Sequence, residues 1–265
     1  MDRVHAGFCE VVNPYNKSQR SRVDLRPQAV EVIVFWTRNP AALMPHLSEL
    51  DRAGYRYYFL FTLVDYPELL EPRAPPLEER LDSFRRLADR LGAGRLVWRY
   101  DPIVLSSLTD ERFHLVRFRR LAAQLRGFTH RVVVSLLDEY PKVRRRLEAL
   151  EPQGLRLLRL PEGDEALGRL MKNLAEEARE QGMEIQSCAE KRDLRPYGID
   201  PGACIDPHLI QKLFGISVSA RKDPSQRKAC RCAVSRDIGA YDSCGYGCLY
   251  CYASKQLVYG GDQGP

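Results

Sequence analysis

From Val30 onward the chain alternates two kinds of segment, and this alternation limits its possible folds more than any other feature. Short, nearly continuous apolar runs rich in β-branched and aromatic residues are separated by longer charged stretches of helical period. The runs Val30–Trp36, Tyr57–Leu63, Leu96–Tyr100, Val132–Leu137, Leu155–Leu160 and Met183–Ser187 predict strands covered on both faces. The stretches Ala41–Ala53, Leu77–Leu91, Asp110–Leu125, Tyr140–Leu150 and Asp164–Gln181 predict helices between them. In one of these, Leu77, Leu81, Phe84, Leu87, Ala88 and Leu91 fall on a single face. Gly92 and Gly94 then close that helix, and Thr109-Asp110-Glu111 supplies an N-cap for the next. Repeated βα units of this kind imply a parallel sheet. No G-x-G-x-x-G follows any run, so a dinucleotide-binding sheet lacks its fingerprint.

Polar residues gather where the runs end: Thr37-Arg38-Asn39, Thr62 and Asp65, Arg99-Tyr100-Asp101, Ser135 and Asp138, then Cys188 and Glu190. In a (β/α) barrel such positions converge on one rim, where the active site is built. The expectation is an α/β chain forming a partial, TIM-barrel-like (β/α) barrel, followed by an irregular cysteine-rich iron–sulfur segment. Residues 1–29 are read as an N-terminal cap or hairpin, 30–190 as the partial barrel, and 191–265 as a cluster-binding segment packed on it. Lys191 to Gln226 holds Pro196, Gly198, Pro201, Gly202, Pro207 and Pro224, with only His208–Phe214 patterned as a helix. Irregular chain of this sort needs an external brace such as a metal.

At 44 % hydrophobic and 29 % charged residues, the 265-residue chain has ordinary globular usage and enough apolar residues for a sizeable core. Its formal charge of +6 permits an anionic partner, nucleic acid included, without demanding one. No apolar run approaches a membrane span, and the N-terminus has no signal-peptide stretch. A cytoplasmic location with reduced thiols is expected, with no membrane partner. No G-x-S-x-G, H-E-x-x-H or Walker loop is present, so serine hydrolase, zinc protease and P-loop chemistry lack support. Arg144-Arg145-Arg146 is read as a solvated helix face.

The eight cysteines are unevenly placed. Cys9 stands alone and is read as a buried thiol. The other seven lie in the last third, and clustered cysteines in a reducing compartment point to metal before disulfide. Cys244, Cys248 and Cys251 form C-x-x-x-C-x-x-C. Thiolates suit iron in sulfur clusters, and three on one loop can reach three corners of a [4Fe–4S] cluster, leaving the fourth iron open. Gly245 and Gly247 let the backbone approach closely. A structural zinc would want a fourth ligand, from Cys230, Cys232 or His208, so the ligand count favours the cluster. Cys188, Cys204, Cys230 and Cys232 complete a four-thiolate set, suited to a second cluster or to zinc.

The string Cys244 to Ala253, Cys-Gly-Tyr-Gly-Cys-Leu-Tyr-Cys-Tyr-Ala, resembles the cluster loop of radical S-adenosylmethionine (SAM) enzymes, including the aromatic Tyr250 before the last cysteine. Its Cys-Tyr-Ala ending is similar to that of spore photoproduct lyase and its relatives. A wider resemblance runs through Val34-Phe35-Trp36-Thr37-Arg38-Asn39-Pro40, Trp98-Arg99-Tyr100-Asp101-Pro102, Ser187-Cys188-Ala189-Glu190, Cys204-Ile205-Asp206 and Asp237-Ile238-Gly239. These strings resemble the bacterial family known as domain of unknown function 1848, which ends in the same cysteine loop. In ordinary radical SAM enzymes that loop follows the first strand; here it comes last. The family also carries an upstream segment near a Ser-Arg-Arg-Thr-Asp string, so by this resemblance a first strand is either missing from this chain or misassigned.

The resemblance implies a partial barrel and an iron–sulfur enzyme of unassigned reaction. It implies that SAM, held on the open iron, is reductively cleaved to a 5′-deoxyadenosyl radical that acts on an unknown substrate, a small molecule or nucleic acid. A reductase, or an electron donor of flavodoxin or ferredoxin type, would supply the electron. Arg38 and Arg99 are expected to clamp the SAM carboxylate or an anionic substrate, because arginine binds carboxylates bidentately. Asp101 and Glu190 are expected at the ribose or substrate. Two other function classes compete: a non-enzymatic [4Fe–4S] electron carrier or redox sensor, and a zinc-braced nucleic-acid-binding module. Polar strand ends favour the enzyme over the carrier, and salt-sensitive affinity would mark the nucleic-acid binder.

Overall fold

A computed structural model describes residues 1–13, 16–161 and 163–254. After a single turn of helix, α1 (Asp2–His5), the strands β1 (Phe8–Asn13) and β2 (Asn16–Asp24) pair antiparallel as a hairpin, the expected N-terminal cap. Six parallel strands follow: β3 (Ile33–Thr37), β4 (Tyr57–Thr62), β5 (Leu96–Ile103), β6 (Arg131–Leu136), β7 (Glu184–Cys188) and β8 (Asp200–Gly202). Their order in the sheet is their order in the chain, with β3 and β8 at the two edges. There is no reversal of strand order, as a doubly wound sheet would have, and the sheet does not close on itself. Between the strands lie α2 (Leu47–Arg52), α3 (Leu77–Leu91), α4 (Glu111–Leu125), α5 (Pro141–Glu148) and α6 (Glu165–Glu180); α7 (Pro207–Phe214) follows β8. No helix among the described residues is long and apolar enough to cross a membrane.

The pleat sends alternate residues to opposite faces. Tyr57, Phe59, Phe61, Leu96, Trp98, Tyr100, Val132 and Val134 pack with Leu81, Phe84 and Leu87 of α3, Phe118 and Leu121 of α4 and Leu170, Met171 and Leu174 of α6. Trp98 is fully buried, stacks on Phe118 at 4.8 Å between ring centroids and donates its indole N–H to Leu63 O. On the other face, Tyr58, Leu60, Val97 and Val133 pack with Leu209 and Ile210 of α7 and with Cys188, Cys204, Cys230 and Cys232. Two-sided burial explains why these strands read as continuous apolar runs.

The N-cap expected at Thr109-Asp110-Glu111 forms, and Asp164 supplies a second one. Asp110 accepts from Phe113 N, and Asp164 from Ala166 N and Leu167 N. Three expectations need correction. Leu155–Leu160 is not a sheet strand: it lies along the loop after β5, with Leu158 N bonded to Leu105 O and Ser107 N to Arg156 O. Exposed Arg156, Leu158 and Arg159 interrupt the run and the backbone finds loop partners instead of a ladder. The helix foreseen at Ala41–Ala53 is shorter, because Pro45 opens a 3₁₀ turn, Met44–His46, before α2. The sheet also extends past residue 190, since β8 joins it; Gly202 lies so close to Gln186 that an added Cβ would come within 2.7 Å of the Gln186 Cβ. Residues 255–265 of the expected C-terminal segment lie outside the described residues.

One buried histidine ties the core to pH. His114 on α4 donates from Nε2 to Val104 O and accepts the Tyr100 hydroxyl at Nδ1, both at 2.9 Å. Burial lowers its pKa to about 4 from 6.5. The unfolded chain therefore protonates first as pH falls, and the stability His114 contributes is lost between about pH 6.5 and 4. In denaturant titrations the wild type is expected to lose on the order of 3 kcal/mol more than His114→Gln across that window. Parallel losses in the two proteins would contradict the assignment.

Candidate metal centres at the rim of the sheet

The C-terminal cysteine loop is held at the rim formed by the ends of β3 and β4. Its backbone joins the loop after β4 through Leu249 N, which donates to Leu70 O. Beside this bond Glu71, only 4 % exposed, takes both the Arg38 guanidinium and the Tyr250 hydroxyl on Oε1. Arg38, just past β3, also donates to Tyr250 Oη at 2.9 Å and to Cys248 Sγ at 2.6 Å. Arg80 of α3 lies 3.6 Å from Glu71 Oε2 and donates to Val64 O. A buried carboxylate is costly unless paired, and here two arginines and a tyrosine supply the pairing. Burial works against the charge on Arg38, but Tyr250, Glu71 and Cys248 outweigh it and raise its pKa. Burial pushes the Cys248 thiol up to about 11.

Around this knot, Gly247 adopts φ +65°, left-handed backbone that glycine takes without strain. On the loop's far side Arg146 of α5, buried, donates to Cys251 O at 2.8 Å and to Ser254 O. The expected solvated face is therefore corrected. Arg144 and Arg145 are exposed, but Arg146 falls with Val143, Leu147 and Leu150 on the inward stripe. Cys244 is exposed, Cys248 buried and Cys251 half-buried.

The second group lies on the sheet face opposite α3, α4 and α6. Cys188 ends β7, Cys204 follows β8, and Cys230 and Cys232 come from the later irregular chain. All four are buried. Cys188 Sγ lies 3.3 Å from Cys204 Sγ. Interaction with the Cys204 thiol draws the Cys188 and Cys232 pKa values down and the Cys204 value up. Arg99 reaches Cys204 Sγ at 3.5 Å. His208 is exposed, and Cys9 is buried in the N-terminal hairpin.

The remaining expected site residues fall on the same rim. Arg99 pairs with Asp101 Oδ2, and Ser135 Oγ donates to Asp101 Oδ1. Arg99 also interacts electrostatically with Tyr252 of the cysteine loop. Glu190 accepts from the backbone N–H groups of Leu136, Lys191 and Arg192, and with Ser135, Asp138 and Cys188 it lines a cavity of about 210 Å³. Arg38, expected to meet a carboxylate, meets one the chain supplies, Glu71. Glu71, Arg80 and Arg146 escaped sequence reading. Glu71 sits in a proline-rich loop with no period to read, whereas Arg146 was detectable from its place on a helical stripe.

Among the described residues no three His, Cys, Asp or Glu side chains converge so as to hold a single ion. A cubane makes a different demand, since each thiolate binds its own iron. Cys244, Cys248 and Cys251 lie within electrostatic reach of one another without converging. Their soft sulfur donors, on a loop with a left-handed glycine, fit a cluster better than one ion.

In metal-free protein Cys244 is expected to alkylate first and Cys248 last, read by peptide mass after timed iodoacetamide; uniform labelling would contradict this packing. Arg146→Ala removes two hydrogen bonds from a charged donor, at about 1.5–3 kcal/mol each. Limited proteolysis should then cut near residues 240–254 while the core remains folded. Arg145→Ala should leave the fragment pattern unchanged, and protection in both variants would rule out the anchoring role.

No curated protein matches the sequence. The family described as domain of unknown function (DUF1848) matches residues 1–253, and the chain belongs to that family.

Proposed function

We propose that the chain is a radical SAM-type iron–sulfur enzyme, its cluster held by Cys244, Cys248 and Cys251. The observation carrying this reading is where the loop docks. Although it comes last in sequence, its middle, Cys248 to Tyr250, docks on Arg38 at the exit of β3 and on the loop after β4, while Arg146 of α5 holds its far end. Because β3 is the first strand of the parallel sheet, this is the neighbourhood that a loop following the first strand would occupy. The chain-ordered parallel sheet supports a partial (β/α) barrel, and the exits of parallel strands are where α/β proteins build sites.

When bound, a reduced cluster with an open iron would supply the electron that cleaves SAM to a 5′-deoxyadenosyl radical. The chain's own residues bind, orient and exclude water. Glu71, Arg38 and Tyr250 hold the loop against the rim and keep Cys248 from solvent. Arg99 and Asp101 present paired charges on the face beside Tyr252, suited to the carboxylate and amino groups of SAM or substrate. Glu190 shapes the polar cavity, which suits a small polar group. Exposed Tyr241 and Tyr252 flank the loop, on the side open to an electron donor of ferredoxin or flavodoxin type. Reduced thiols suit a cytoplasmic setting.

Anaerobic reconstitution followed by EPR tests the reading. About four irons and four sulfides per chain, lost in Cys248→Ser, with a signal that shifts on adding SAM, are expected. A cluster whose signal ignores SAM would turn the reading to an electron carrier. Zinc at the loop with no iron would end it.

A further inference from the structure

We infer that Cys188, Cys204, Cys230 and Cys232 form a second, independent site, for a single divalent ion of zinc type and not for a cluster. Three observations carry this inference. The first is placement: three segments distant in sequence bring four buried thiols to one patch of the sheet face. The second is spacing. Cys188 Sγ and Cys204 Sγ are 3.3 Å apart. Thiolates around one zinc, each at about 2.3 Å, stand about 3.8 Å apart, so an ion needs these two to part by roughly half an ångström. A cubane binds each thiolate at a different iron and would drive the pair much farther apart, in close-packed surroundings.

The third observation is the direction of the surrounding donors. Ile205 N–H points to Cys232 Sγ at 3.4 Å, Cys232 N–H to Cys230 Sγ at 3.5 Å, and Arg99 Nη1 to Cys204 Sγ at 3.5 Å. Two backbone donors and one guanidinium aimed at sulfur favour thiolate over thiol, which is the state a metal requires. Metal binding releases the thiol protons, and Arg99 offsets part of the surplus negative charge of four thiolates on a divalent ion. Cys188 Sγ and Cys204 Sγ touch, and the four sulfurs do not yet surround a common centre. Gathering them needs side-chain rotation, not a new fold. The ion would brace Lys191 to Val234, chain with little regular structure beyond β8 and α7.

The test is metal analysis of full-length protein purified without oxygen from medium containing iron and zinc. About one zinc per chain is expected, held by four sulfurs at about 2.3 Å in zinc-edge X-ray absorption. Cys204→Ser should lose that zinc and keep the iron and acid-labile sulfide of the C-terminal loop. Conversely, Cys248→Ser should lose iron and keep zinc, so failure of the loop assignment and failure of this one read out separately. If Cys204→Ser does not fold, the absorption spectrum of the wild type still decides the ligand set. Extra iron and sulfide that vanish with Cys204→Ser would overturn the inference in favour of a second cluster. Four freely titrating thiols, or a Cys188–Cys204 disulfide with no metal, would overturn it outright.

Discussion

The buried carboxylate of Glu71 is the constraint around which the candidate centre is arranged. An ionised group in a dry interior must be neutralised locally. Its partners come from three places: Arg38 at the exit of β3, Arg80 on α3 and Tyr250 in the last described stretch of chain. The C-terminal loop therefore has nowhere specific to dock until the first two sheet strands and α3 have assembled. Once they have, the loop is fixed by a charge that would otherwise be under-paired. This couples the cysteine loop to the integrity of the sheet far more tightly than exposed ion pairs could, since those contribute little.

Much of the fold could be read from the sequence because both faces of the sheet are covered. Two-sided burial turns strands into continuous apolar runs, which is why Tyr57–Thr62 and Arg131–Leu136 were foreseen within a residue or so. One-sided helices announce themselves by period, as Leu77–Leu91 does. The short strand Asp200–Gly202 had neither signal. It pairs through three residues without a β-branched side chain, and its place depends on a close approach to Gln186. The leucines of Leu155–Leu160 mimicked a strand while packing on a loop. For the cysteines, the count in the last third grouped Cys188, Cys204, Cys230 and Cys232, and the structure brings those four to one patch. The supporting shell was mostly hidden. Glu71 owes its role to tertiary pairing alone; Arg146 was legible from its place beside Val143, Leu147 and Leu150, though the arginine run was read as a solvated face.

Arg99 connects the two cysteine groups. It stands on the sheet face that carries Cys188, Cys204, Cys230 and Cys232, touches Cys204, pairs with Asp101 and interacts with Tyr252 from the other group. Its guanidinium lies near the ring of Trp36, at 6.0 Å from the centroid. Its guanidinium favours negative charge at Cys188, Cys204 and Cys232, and acts on the loop through Tyr252.

Chain order and spatial order part company here, and physics cares only for the second. A site is the geometry of its groups, not their sequence position. The C-terminal loop arrives at the mouth of the first sheet strand by a long path, through β8, α7 and the irregular cysteine-bearing segment. That path must be stiff enough to deliver it, since the entropy of ordering so many residues with few apolar contacts opposes docking. Asp206 caps α7 and receives Arg131 of β6 at 2.7 Å, and Tyr58 bonds Cys204 O at 2.5 Å. These contacts pin the start of the path to the sheet. A brace midway, among Cys188, Cys204, Cys230 and Cys232, is what the remaining stretch requires if the last loop is to hold one position.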